Sequence, residues 1–199
     1  MPPYLMKRIL FPAILIFLIF NSKIFSQSFE SSAFGAPVFM YTSIAGQRSL
    51  IVGGRFGWII NKRIVLGGGF YGLASRVRTD YKDVPSGQNV MLGFNYGGLE
   101  LEYIFFPESF IHGSVNMLLA GGGAYFSVEN TNVLHGSYFS QDLLLWEPSI
   151  NIEFNVMYWL HTDLTFSYRI ITSYPENYGI NSGDLAGPSF GLAFKFGKY

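Results

Sequence analysis

Residues 147–158 read EPSINIEFNVMY. The odd positions Glu147, Ser149, Asn151, Glu153 and Asn155 are polar, and the even positions Ile150, Ile152, Phe154, Val156 and Tyr158 are apolar or aromatic. A period of two is the period of a β-strand with two unlike faces. The same pattern returns in residues 163–170, where Asp163, Thr165, Ser167 and Arg169 alternate with Leu164, Phe166, Tyr168 and Ile170. It returns again in residues 189–196, with Ser189, Gly191, Ala193 and Lys195 against Phe190, Leu192, Phe194 and Phe196. In residues 99–105, Glu100 and Glu102 alternate with Leu99, Leu101, Tyr103 and Phe105.

An ordinary soluble sandwich also alternates, with its apolar face inward. Composition points to the inverted arrangement. Charged residues make up 13% of the chain and aromatics 18%, whereas an average soluble domain carries about 25% charge. A chain so poor in charge cannot coat itself for water, but a barrel facing lipid needs no such coat. Spanning strands run about 9–11 residues, apolar outside and polar inside. Eight such segments are predicted, over residues 34–44, 49–60, 63–76, 90–105, 110–127, 143–158, 162–174 and 187–198. Their connections alternate in length. Tight turns fall at residues 61–62, 106–109 and 159–161, and longer polar loops at 77–89, 128–142 and 175–186; the short connection 45–48 interrupts the pattern on the long-loop side. Short periplasmic turns and long external loops are the outer-membrane arrangement. It predicts one all-β domain, an eight-stranded antiparallel up-and-down transmembrane barrel, with both mature termini in the periplasm. Trp58, Phe105, Phe106, Tyr158 and Trp159 are expected to form an aromatic girdle on the short-turn side. Tyr71, Tyr125, Trp146 and Tyr174 are expected to form one on the other side.

The start of the chain reads as an address. Lys7 and Arg8 precede the apolar run ILFPAILIFLIF of residues 9–20, and a more polar stretch follows. This is the three-part pattern of a secretory signal, too short to span a bilayer. Residues 1–26 are expected to be a signal peptide and residues 27–199 the barrel.

At this point the chain resembles the small eight-stranded outer-membrane barrels of the OmpA/OmpX type. The dyad repeats carry the resemblance, as does the last strand, SFGLAFKFGKY at residues 189–199, which ends in an aromatic residue. The resemblance implies insertion by the barrel assembly machinery, which reads that terminal aromatic. Tyr199 falls out of phase with Phe194 and Phe196, which predicts either a bulge near Gly197 or a variant of the insertion signal.

Eight strands enclose an interior just wide enough for side chains to fill it. The inward face is expected to hold a charge network of Arg55, Glu100, Glu102, Glu147, Glu153, Asp163, Arg169 and Lys195 that plugs the lumen. Several chemistries fall away. The chain has no cysteine, so disulfides, thiolate metal sites and a lipoprotein anchor are excluded. A formal net charge of +0 gives no field for nucleic acid. Residues 67–72, GGGFYG, match a dinucleotide fingerprint in letters alone, because no helix follows; glycine within a strand marks a bend or a close approach of backbones. His112 with Ser114 and His135 with Ser137 have the spacing of a nucleophile and its base. The first pair lies at the periplasmic end and the second in a loop, so no catalytic residue, cofactor or metal is expected. The function expected is a structural or surface-interaction role, with membrane lipid around a monomer and an unknown external ligand at the loops. The alternatives are a narrow pore, a lipid-modifying enzyme, and a soluble periplasmic barrel with Phe190, Leu192, Phe194 and Phe196 turned inward.

Overall fold

In a computed structural model the described residues are 30–82, 87–128, 137–174 and 179–197; the expected signal peptide and Tyr199 lie outside them. Nine antiparallel strands follow in chain order: β1 (Ser31–Ile44), β2 (Gln47–Ile60), β3 (Ile64–Leu73), β4 (Val77–Lys82), β5 (Asn89–Phe105), β6 (Ile111–Val128), β7 (Ser137–Met157), β8 (Leu160–Ser173) and β9 (Gly187–Gly197). Each pairs with its neighbour in the chain except β3 with β4, β1 pairs with β9, and β3 closes the ring onto β5. β3 and β4 both lie along β5, so the nine strands build a closed barrel of eight staves.

The third segment therefore differs from the continuous strand expected over 63–76. It breaks at Ala74 to Arg76, where Ala74 N donates to Leu50 O at 2.8 Å and Ser75 Oγ accepts from Leu50 N at 2.7 Å. Beyond the break β4 rises with β5 into the region read as a polar loop. β7 likewise starts at Ser137, inside the expected loop 128–142. Strand pairing on this side simply continues past the apolar belt.

Tight turns join strands at both ends. Asn61 and Lys62 take φ of 49° and 59°, and Ala45 and Gly46 take 49° and 70°. Left-handed backbone at both central residues matches the twist of the flanking strands, which suits tight hairpins.

The faces decide which way the barrel is turned. Outside lie Leu99 at 77% exposure, Phe70 at 64% and Phe190 at 63%, whereas Glu153, Asp163, Arg169 and Lys195 inside are at 0%. Phe196 is also exposed, which removes the soluble barrel with these residues inward. Closing the ring through β1–β9 and β3–β5 pairs every stave of the wall on both sides, and among the described strands only the β4 extension pairs on one side alone; a closed wall is what lets a sheet sit in lipid.

Trp58, Phe105, Phe106, Tyr158 and Trp159 are exposed at the short-turn end. The opposite girdle is corrected. Trp146 is exposed, but Tyr71 and Tyr174 are buried. Tyr71 directly follows the outward Phe70, so the pleat turns it into the lumen.

The segment before β9 folds into a cap. A short helix, α1 (Ser182–Leu185), is started by Asn181, whose Oδ1 accepts from Gly183 N at 2.7 Å, while Asp184 Oδ2 accepts from Asn181 N at 2.9 Å. Leu185 and Ile180 are buried in one cluster with Ile44, Phe94 and Phe126. Leu185→Ala is expected to lower stability by about 2–4 kcal/mol, the usual cost of a buried leucine truncation, read by denaturant unfolding in detergent. Tyr174 packs beside this cap, and burial, followed by the Asp184 charge, holds its phenol above the usual tyrosine range. The neutral phenol is thus favoured in the folded state, and its contribution is lost as pH rises past the ordinary tyrosine value of about 10 and through the raised one. Its buried hydroxyl has no hydrogen-bond partner among the described residues. Tyr174→Phe is expected to be neutral or stabilising near pH 7 and to remove that alkaline loss, measured as unfolding midpoints between pH 7 and 11.

Candidate functional site: the lumen

Odd positions of β2, β7, β8 and β9 and even positions of β5 face inward, and this parity sets all eight charged candidates inside the barrel. Six of them meet in one cluster in the short-turn half. Arg55 lies between three acids: Nε to Glu100 Oε2 at 2.9 Å, Nη2 to Glu102 Oε2 at 2.8 Å and Nη1 to Asp163 Oδ2 at 3.6 Å. Lys195 Nζ sits among Glu153 at 2.7 Å, Asp163 at 2.9 Å and Glu102 at 3.3 Å. Phe34 supports both cations, with its ring centre 5.7 Å from the Arg55 guanidinium carbon and 5.2 Å from Lys195 Nζ. Removing charge from water is tolerable only when each ion is paired and hydrogen-bonded. Hydroxyls and amides meet part of that requirement: Tyr71 donates to Glu100 at 2.6 Å, Ser114 donates to Glu102, and Asn151 donates to Ser114 at 2.8 Å, while Asp163 is held by the two cations alone, with no hydrogen-bond donor on either oxygen among the described residues.

Glu147 and Arg169 stand apart from this cluster. Glu147 accepts from Ser167 Oγ at 2.5 Å and from Tyr96 OH at 3.0 Å. Arg169 lies over the rings of Phe94 and Tyr96, 5.3 and 5.8 Å from their centres, and its Nε donates to Leu185 O at 2.8 Å. A guanidinium stacked on aromatic faces gains cation–π energy that a lysine would not reproduce. Arg169 thereby ties the cap to the barrel wall.

Sequence reasoning missed the aromatic and imidazole members. Tyr71 and Tyr96 are part of the network. So are two histidines: His161 Nδ1 is 2.7 Å from Glu153 Oε1, and His112 Nε2 is 3.6 Å from Glu153 Oε2. His112 and Glu153 are also cross-strand partners, so the parity that marks Glu153 marks His112. Since Ser114 is bound to Glu102, the His112 and Ser114 pair serves two different carboxylates. A mouth of about 430 Å³ opens at the short-turn end onto these histidines and Glu153, with Lys62 and Glu108 on its rim. Lys62 donates to Glu108 at 2.9 Å and holds that carboxyl below its usual range. Farther in, the void beside Arg55, Glu100 and Glu147 shrinks to about 30 Å³, room for about two waters.

A barrel apolar outside, ionic inside and edgeless is built for a bilayer. Solved structures agree on the architecture. Neisserial surface protein A superposes with a TM-score of 0.58 at 10% identity, covering 87% of this chain and all of its own. The fold is that of the small outer-membrane β-barrels. The N-terminal barrel domain of Pseudomonas aeruginosa OprF gives 0.57 at 12% identity, covering 85% and 99%. The Yersinia pestis attachment invasion locus protein Ail, solved with the heparin analogue sucrose octasulfate, gives 0.51 at 12% identity, covering 86% and 99%. No protein-family model and no curated protein matches the sequence.

Proposed function

We propose that this chain is a non-conducting outer-membrane barrel with a structural or surface-interaction role, its lumen plugged by the buried ion network and its long-loop end capped by α1. The packing of the lumen carries the reading: two cations and four carboxylates interlock across it, and beyond them the void is about 30 Å³. Small barrels of this width are normally filled by side chains. Residues 1–26 act as the export signal, both mature termini face the periplasm, and the long connections face outward. A surface-interaction role is supported by the Ail structure, which was determined with a heparin analogue. The protein has no catalytic role, and the pairing of His112 and Ser114 with separate carboxylates supports that reading.

Planar-bilayer recording tests the plug. The purified barrel is expected to leave the membrane silent at 1 M KCl, while a variant with Arg55→Ala and Glu102→Ala together, which hollows the network, is expected to raise single-channel events. Steady unit conductance from the wild-type barrel would establish the narrow-pore alternative instead.

A further inference from the structure

The outer wall carries arginines at one place on the long-loop rim. Along β2 the outward face runs Trp58, Phe56, Val52, Leu50 and then Arg48. The neighbouring stave runs Ile64, Leu66, Phe70 and then, beyond Gly72 and Ala74, Arg76. Both arginines are exposed, and neither has an ion pair or side-chain hydrogen bond among the described residues. Two clamps bracket them. On one side Ala74 N donates to Leu50 O at 2.8 Å. On the other, Gln47 Nε2 donates to Arg78 O at 2.6 Å and Arg78 N donates to Gln47 Oε1 at 3.2 Å. The β2–β3 register ends with Ile51 opposite Leu73; counted on past the Ala74–Leu50 bond, Arg48 and Arg76 fall at corresponding positions of the two staves.

Like charges on neighbouring strands oppose pairing unless something neutralises them. Their height shows what is there to do so. Arg48 lies two residues past Leu50, about 6–7 Å along the strand, or roughly 5 Å along the bilayer normal for a strand tilted as barrel strands are. That is the level of headgroups, directly above hydrocarbon. The short Ala45–Gly46 hairpin, the one brief connection on this side, keeps Arg48 down at this level and out of any loop. Guanidinium groups match phosphate oxygens in shape and charge.

We propose that Arg48 and Arg76 form a site for the phosphate of a lipid headgroup in the leaflet on the long-loop side. The site rests on the membrane-spanning reading. The test uses the full chain folded in detergent micelles, with native mass spectrometry counting bound dioleoyl phosphatidic acid and, separately, phosphatidylcholine. Phosphatidic acid is expected to bind preferentially, and Arg48→Gln with Arg76→Gln to weaken it about thirtyfold, as two surface arginines should. Lys62→Gln with Arg63→Gln at the opposite end is expected to leave it unchanged. Equal binding by the Arg48/Arg76 variant, an equal loss in the Lys62/Arg63 variant, or displacement by inorganic phosphate at matching concentration would each overturn the site. Every sample is run on a gel unboiled and boiled. A folded, heat-shifting barrel without the preference refutes this site alone, whereas a water-soluble protein with no shift refutes the membrane reading beneath it.

Discussion

Lys195→Met is expected to cost about 3–5 kcal/mol of unfolding free energy, the range for stranding buried charge by removing its partner. Lys195 Nζ lies within 3.3 Å of carboxylate oxygens of Glu102, Glu153 and Asp163. Oxygens of those three acids approach within 4.8 Å of one another. Methionine keeps the length and apolar stem of lysine and removes only the charge, so packing is nearly conserved and repulsion is not. Adding Asp163→Asn to Lys195→Met should recover part of the loss, because the acid removed no longer lacks a cation. The same Asp163→Asn change in the wild type should not stabilise. Such non-additivity marks coupled neighbours. Urea unfolding in lipid vesicles reads all four proteins; strictly additive effects would mean that the cluster is hydrated and its ions act independently.

Gly98→Ala is expected to prevent barrel closure. A Cβ at Gly98 would stand 1.9 Å from Leu119 O and 2.5 Å from the Ala120 Cα on the paired strand, both backbone atoms that cannot rotate away. Overpacking against side chains costs about 1–3 kcal/mol, and here two strands would have to part. Gly121 supplies the control. A Cβ there meets nothing nearer than 3.9 Å, so Gly121→Ala is expected to change stability by no more than about 0.5 kcal/mol. The gel shift between unboiled and boiled samples should vanish in the first variant and persist in the second. A shifted band from Gly98→Ala would show that β5 and β6 are not in this close approach.

The facing of the strands was legible because acids and bases sit on one parity and large apolar residues on the other. That contrast is sharp at Glu147, Glu153, Asp163, Arg169 and Lys195. It is absent where residues suit both environments. Tyr71 suits an outer girdle by residue type alone, since tyrosine serves equally at an interface and beside a buried carboxylate; the parity of Phe70, its neighbour, is the signal that places it inside. His161 sits next to a turn, and nothing local reveals that its imidazole reaches Glu153, eight residues back. The cap was hidden for another reason. A four-residue helix has no period to detect, although Asn181 followed three residues later by Asp184 is a capping pattern that could have marked its start. The break between β3 and β4 depends on Ser75 replacing a backbone partner for Leu50, a tertiary substitution with no sequence period.

The chain has no cysteine, so single cysteines report cleanly on each face. The most direct test places a fluorophore at Phe190→Cys or, in a separate protein, at Ser189→Cys, in vesicles containing brominated lipid. Phe190 is 63% exposed and Ser189, the adjacent residue, 0%. A barrel turned toward lipid predicts strong bromolipid quenching at 190 and little at 189, with aqueous iodide reaching neither. Iodide quenching at 190, or bromolipid quenching at 189, would contradict an apolar exterior wrapped around a closed polar lumen.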